Sequence, residues 1–145
     1  MLEIQNLAFR VMDEAGQPLN ILTDIHLRVF PGSFVAITGP NGSGKSSLAR
    51  VIMGIEQPNQ GRIFFDGKDI TGMDIHQRAQ AGIGFAFQQP VRFKGMQVRD
   101  LLRLSVGHKL SIDDACDYLS QVGLCARDYI FREMNSSLSG GEMKR

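Results

Sequence analysis

The stretch GPNGSGKS, from Gly39 to Ser46, decides the fold of this chain. It fits the pattern G-x-x-x-x-G-K-[ST] position by position, and its glycines lack the Cβ that would keep a backbone loop away from an anion. An apolar run, SFVAIT at 33–38, precedes the loop, and a helical pattern, KSSLARVIMG, follows it. A buried strand that passes through such a loop into a helix is the context in which this pattern binds phosphate. That context separates the loop from an ordinary glycine-rich turn.

Each part of the loop has an expected role toward a nucleotide. Backbone N–H groups from Asn41 through Ser46 are expected to point inward and surround a phosphate. The helix that starts near Lys45 directs the positive end of its dipole to the same place. Lys45 is expected to meet the β- and γ-phosphates, and the hydroxyl of Ser46 to ligate Mg²⁺. The sequence therefore predicts a nucleotide site formed by Gly39, Pro40, Asn41, Gly42, Ser43, Gly44, Lys45 and Ser46.

The composition excludes several other classes of protein. The 145 residues, 43% of them hydrophobic, suffice for about one domain with a buried core. A net charge of +1 gives no field that would attract nucleic acid, and two cysteines are too few for a disulfide framework. The N-terminus MLEI is not a signal peptide, and no apolar run approaches the ~18 residues of a membrane helix. We expect a soluble, cytoplasmic chain with no nucleic-acid partner.

Hydrophobic periodicity predicts strands in the first half of the chain and helices in the second. Two strands, 2–11 and 21–29, are followed by 33–38, by GRIFFDGKDI with a turn at Asp66–Gly67, and by an apolar run at 82–87. The runs at 33–38 and 82–87 have the pattern of strands buried on both faces of a parallel sheet. Predicted helices cover 74–81, with Asp74 as N-cap, and most of the chain after Val98, with Gly123 ending one of them. The fold class is α/β: a core over 1–90 and an inserted helical subdomain over 91–145.

Three motifs together resemble those of ABC-type ATPases, which are P-loop NTPases. GPNGSGKSS resembles their Walker A motif, FAFQQP their Q-loop, and SLSGGE their signature loop LSGGQ with Glu142 in place of Gln. The three occur in the family's order, with the helical region between the second and the third. The resemblance extends from Leu2 to the final residue, and it implies an N-terminal antiparallel β part, an ATPase core and an inserted helical subdomain.

The resemblance also implies roles for individual residues. ATP and Mg²⁺ are the implied cofactors, with Ser47 supporting phosphate binding and Gln88 reaching the metal and the attacking water. Lys45 and Gln88 are then the catalytic candidates, and Ser46 and Gln88 the metal ligands. A second ABC ATPase subunit is the implied partner, packed head to tail, so that its ATP meets Ser139, Gly140 and Gly141. The simpler interpretation of SGGE, a helix N-cap with an acidic first turn, is compatible with that role.

Two family elements are missing from these 145 residues. No hydrophobic strand ends in paired acids, as the Walker B strand does, because Asp113 and Asp114 begin an amphipathic helix instead. The histidines His26, His76 and His108 all precede the signature loop, so none matches the switch histidine. We expect a fragment of an ATP hydrolase, incomplete at the C-terminus, that does not hydrolyse ATP alone.

Two functional classes remain open within the family. AFQQPVRFKG, SGGEMKR and the absence of an aromatic at Val11 resemble SufC-like ATPases of the SUF iron–sulfur cluster assembly system, whose partner is a soluble scaffold subunit. Leu138 in LSGG instead matches the common form of membrane transporters, whose ATPases dock on a transmembrane subunit. The sequence interpretation places the SufC-like function first and the transporter second.

Overall fold

The computed structural model describes residues 1–87, 93–106 and 110–134. The chain forms two compact units, Met1–Phe85 and Ala86–Arg145, each with its own apolar core. The predicted domain boundary after residue 90 falls outside the described ranges. Within those ranges, no helix combines the length and the apolar character needed to cross a membrane.

The first unit is built on an antiparallel sheet, which confirms the predicted antiparallel β part. Its strands are β1 (Leu2–Met12), β2 (Pro18–Val29), β3 (Gln60–Phe65) and β4 (Lys68–Asp69). Their order in the sheet is β2-β1-β3-β4, so β1 pairs with the two strands on either side of it. Asp66 and Gly67, with φ of 48° and 79°, make the two-residue turn between β3 and β4, as expected for an Asp-Gly hairpin.

Irregularities between β1 and β2 change which side chains face the core. Asn6 and Asp24 both have positive φ, 49° and 51°, and the Asn6 amide donates to Asp24 Oδ1 at 3.2 Å. The register of β1 with β2 shifts on both sides of Leu7. Within β2 Leu22 is buried at 5% exposure and Thr23 is exposed, whereas Ile25 and Leu27 are partly buried. A strict period of two does not continue through a bulge.

Two helices belong to the first unit, α1 (Lys45–Met53) and α2 (Ile75–Gln80). Asp74 caps α2 as predicted, because its carboxylate accepts from the Gln77 N–H at 2.8 Å while the Gln77 side chain accepts from the Asp74 N–H. The core that joins α1 to the strands consists of Ile4, Leu7, Phe9, Leu22, Leu48, Val51, Ile63 and Ile70.

The prediction of buried strands at 33–38 and 82–87 is wrong for this structure. Neither run forms a strand, and Phe34 is 95% exposed. A strand requires a neighbour that accepts its N–H groups and donates to its carbonyls. In the part of the chain that the structure describes, no strand pairs with either run. The sequence shows the apolar pattern of each run, but it does not show whether another strand pairs with that run.

The second unit is helical, as predicted. Ser111 caps its middle helix in a capping box with Asp114, and Gly123, with φ of 72°, follows the helix end. On that helix Ala115 and Leu119 are buried, whereas Ile112 is 60% exposed. Its helices are α3 (Val98–Val106), α4 (Ile112–Gln121) and α5 (Ala126–Tyr129).

Candidate functional site

Glycines shape the loop that leads into α1. Gly39, Gly42 and Gly44 have φ of 150°, 82° and 83°, a backbone region that side-chain-bearing residues rarely adopt. A Cβ at Gly44 would lie 2.8 Å from Leu22 Cδ2 and 2.9 Å from the Ile21 carbonyl oxygen. A glycine is therefore required at position 44 for two reasons, its positive φ and the close approach of β2. At Gly42 no described atom lies within 4 Å of the Cβ position, so this part of the loop is open.

The first three N–H groups of α1 have no acceptor within the helix. The first helical hydrogen bond runs from the Leu48 N–H to the Gly44 carbonyl at 2.8 Å. The N–H groups of Lys45, Ser46 and Ser47 precede it, so they have no acceptor within the helix. No side chain among the described residues caps this helix, whereas α2 and α4 both have capping boxes. Together with the helix dipole, these donors form a site suited to an anion.

Lys45 lies against the loop that it follows. Its Nζ donates to the carbonyl oxygens of Gly39 at 2.9 Å and Pro40 at 2.6 Å, with Ser43 Oγ at 3.4 Å. The ammonium group therefore stands beside the loop backbone, at the same end of α1 as the unpaired N–H groups. A phosphate bound to those N–H groups would compete with the two carbonyls for this cation.

Few of the described side chains could ligate a metal ion at this site. Ser46 is exposed at the start of α1, so its hydroxyl is accessible. Across the described ranges, no group of three His, Cys, Asp or Glu side chains could hold a metal ion. This set fits a Mg²⁺ ion that takes most of its oxygen ligands from phosphate and water, which is the usual arrangement for Mg²⁺ with nucleotides.

The remaining predicted site residues lie outside the described residues. These are Gln88 and the signature-loop set Ser139, Gly140 and Gly141. The structure brings together only the loop residues and the start of α1, Gly39 through Ser47. The proposed contributions of Gln88 and of the signature loop stay predictions.

Sequence reasoning missed Arg78, the one fully buried charged side chain among the described residues. Its guanidinium donates to four backbone carbonyls: Val51 at 2.6 Å, Ile52 at 2.8 Å, Thr71 at 2.8 Å and Met73 at 3.0 Å. Burial lowers the pKa of Arg78 by removing the charged form from water. The sequence around it, IHQRAQ, carries no sign of burial, because the acceptors come from other segments of the chain.

The family model described as ABC transporter matches residues 22–145. An uncharacterized ABC transporter ATP-binding protein, MJ0035 of Methanocaldococcus jannaschii, is 41% identical over 133 residues, which are 86% of this chain and 53% of that protein. The sulfate/thiosulfate import ATP-binding protein CysA of Bacillus cereus is 35% identical over 130 residues, covering 86% of this chain and 36% of CysA. The chain thus spans about half the length, or less, of these relatives.

A solved structure has the same fold. It is a dimeric structure of a post-hydrolysis state of the ATP-binding cassette MJ0796, bound to ADP and Pi. The TM-score is 0.81 at 24% identity, over 99% of this chain and 65% of that one. At this level of identity the likeness establishes the cassette fold, and it agrees with the predicted fold class.

Proposed function

This chain belongs to the ABC transporter family, and on that premise we propose that it is the ATP-binding part of an ABC transporter ATPase. One observation carries the proposal. The start of α1 offers three N–H groups without helical acceptors, beside a loop whose glycines keep the approach open. The anion that fits these donors and the adjacent Lys45 ammonium is the triphosphate of ATP.

In this proposal different residues of the loop bind different parts of the MgATP. The N–H groups of Lys45, Ser46 and Ser47 bind phosphate oxygens. Lys45 exchanges the carbonyls of Gly39 and Pro40 for the β- and γ-phosphates, which are stronger acceptors because they are charged. The Ser46 hydroxyl and Gln88 would hold Mg²⁺. When bound, the metal would supply positive charge against the negative charge that develops during phosphoryl transfer.

We further propose that turnover requires a second ATPase subunit. Ser139, Gly140 and Gly141 would bind the γ-phosphate of ATP held by that partner. The dimeric state of the MJ0796 cassette supports this arrangement. Phosphoryl transfer to water also needs a group that positions the water or accepts its proton. These 145 residues supply only Gln88 toward that task and no Walker B carboxylates, so we expect the isolated chain to bind ATP without steady hydrolysis.

The similar proteins favour a different function from the one that the short motifs favour. Motif resemblance placed the SufC-like function first. The names of MJ0035 and CysA instead support the transporter, which was the alternative. The transporter is therefore the primary proposal, with a transmembrane subunit as partner and a site of action at the cytoplasmic face of a membrane. The SufC-like function stays a second candidate because AFQQPVRFKG and SGGEMKR favour it.

Calorimetric titration with MgATP tests the nucleotide site. Lys45→Ala is expected to weaken binding at least about tenfold, since the phosphates lose a charge-assisted partner that contributes roughly 1.5–3 kcal/mol. Lys68→Ala is the matched control, because it removes one lysine from the distant β3–β4 hairpin. Equal binding by the Lys45 variant and the parent would contradict the proposal.

Affinity capture from the native cells separates the two candidate functions. The protein is tagged and recovered with its stoichiometric partner, before and after charge reversal of Arg92 and Lys94, which flank Phe93 next to the Q-loop. The transporter proposal expects an integral membrane protein that the reversal releases while ATP binding is unchanged. Recovery of a soluble scaffold as the sole partner would favour the SufC-like function instead.

A further inference from the structure

We propose that Arg78 is a positioning residue for the ATP site: it fixes the far end of α1, so that the near end faces the phosphates. This inference rests on the proposed ATP binding. Arg78 contacts neither the loop nor the expected position of the nucleotide. Its effect would pass through α1, whose N-terminal residues supply the donors of the site.

Arg78 binds α1 where that helix needs donors. The last carbonyls of a helix have no N–H partner in the helix itself. Two of them, those of Val51 and Ile52, accept from Nη1 of Arg78 at 2.6 and 2.8 Å. The negative end of the helix dipole is at the same place, so the buried cation is favoured there electrostatically as well.

The other contacts of Arg78 join α1 to two further segments. Nη2 and Nε donate to the carbonyls of Thr71 and Met73, on the connection from β4 to α2. That connection is fixed to the sheet, because the Ile70 N–H donates to the Ile63 carbonyl in β3 at 2.9 Å. The Arg78 carbonyl accepts from the Ile83 N–H at 3.0 Å, at the start of the run that leads to Gln88. Arg78 therefore links the helix of the phosphate loop, the sheet and the approach to the Q-loop.

Gly54 supplies the space for this guanidinium. It ends α1 with a φ of 81°, and a Cβ there would lie 2.9 Å from Arg78 Nε and 3.0 Å from the Met73 carbonyl oxygen. Gly54→Ala would therefore displace Arg78 without removing its charge.

A change at one end of α1 reaches the other because the helix is short and stiff. Its 9 residues span about 13 Å at 1.5 Å per residue, so a small tilt at Val51 moves Lys45 and Ser46 by a comparable amount. Errors of about 1 Å in placement commonly cost an active site ~100-fold. Lysine cannot replace Arg78 fully, since its single ammonium cannot span acceptors on two segments as a planar fork does.

The test compares nucleotide affinity with stability in four variants of the chain. Arg78→Met removes all donors, Arg78→Lys keeps the charge, and Gly54→Ala shifts the guanidinium. Leu119→Ala is the control for stability, since Leu119 is buried in the core of the second unit, which contains neither the phosphate loop nor Arg78. Each variant is titrated with MgATP at a temperature where circular dichroism shows it folded. Hydrogen exchange is followed at the Leu48 amide, whose bond to the Gly44 carbonyl is the first of α1.

We expect Arg78→Met to weaken MgATP binding by about tenfold or more and to speed exchange at the Leu48 amide. Arg78→Lys should recover part of the affinity, and Leu119→Ala should stay within about twofold of the parent despite its lower melting temperature. Parent-like affinity in Arg78→Met would overturn the inference and leave ATP binding standing. If Arg78→Met does not fold, parent-like affinity in Gly54→Ala would overturn it equally. A parent that does not bind MgATP would overturn the proposed function and this inference together.

Discussion

Gly61 permits an unusually close approach of β3 to β1, and replacing it should destabilise the sheet more than an equally strained glycine elsewhere. Its φ is +92°, and a Cβ there would lie 2.5 Å from the Asn6 carbonyl oxygen and 2.6 Å from the Gln5 carbonyl oxygen. Gly67 is the matched comparison. Its φ is +79°, but no described atom lies within 4 Å of its Cβ position.

The expected difference follows from these two environments. A left-handed backbone conformation costs an alanine about 1–2 kcal/mol, and both variants bear that cost. At Gly61 the obstructing atoms are backbone, so no side-chain rotation relieves the contact, and β1 must move away from β3. The ladder hydrogen bonds around Gln5 and Arg62 would weaken by about 1 kcal/mol each. We expect Gly61→Ala to cost about 4 kcal/mol in total, against about 1–2 kcal/mol for Gly67→Ala.

Urea denaturation followed by circular dichroism measures both costs. Hydrogen exchange at the Ile4 and Ile63 amides shows whether the loss is located between β1 and β3. The reasoning is refuted if the two variants lose the same free energy of unfolding. It is also refuted if Gly61→Ala loses less than about 2 kcal/mol, because strain alone would then account for it.

Three further predictions concern single groups. Asp74→Ala should cost about 1 kcal/mol of unfolding free energy by urea denaturation, because α2 loses its capping box with Gln77. Hydrogen bonds from the hydroxyl and N–H of Thr71 hold the pKa of Asp69 below its usual value. The stability that they give is present above about pH 4 and is lost as pH falls through the folded-state pKa. The melting temperature of Asp69→Asn, measured from pH 5 downward, should therefore depend less on pH than that of the parent. A phosphate-release assay on the isolated chain should show no steady ATP turnover; turnover abolished by Lys45→Ala would mean that these residues contain a further catalytic group.

Local chemistry explains which parts of the fold could be predicted. The Asp66–Gly67 turn, the Asp74 cap and the glycine-rich loop each depend on residues that are adjacent in sequence, and all three were recognised. Arg78 could not be recognised, because its burial depends on carbonyls of α1, which is distant in sequence, and of the connection from β4 to α2. The strand predicted at 33–38 failed for a related reason, since pairing depends on a neighbour that an apolar pattern does not identify.

The same distinction applies to the site and to the functional class. The loop and the start of α1 could be assigned from eight consecutive residues. The preference for a SufC-like function rests on two short motifs, near Gln88 and Glu142, and on the absence of an aromatic at Val11, so it depends on few positions. Similarity over most of the chain weighs more than such motifs, and the relatives that it finds support a transporter.

The pairing of β3 with β1 has a consequence for the order in which the chain folds during synthesis. The β1–β2 hairpin contains only local contacts across a short turn, so it can form as soon as both strands have been made. The phosphate loop and α1 come next, but they lie within the long connection that is closed only when β3 docks on the other edge of β1. Closing that connection has an entropic cost, and the docking that compensates it comes late. We therefore expect the hairpin to form before the phosphate loop, which would become able to bind a nucleotide only after Ile63 has reached Ile4.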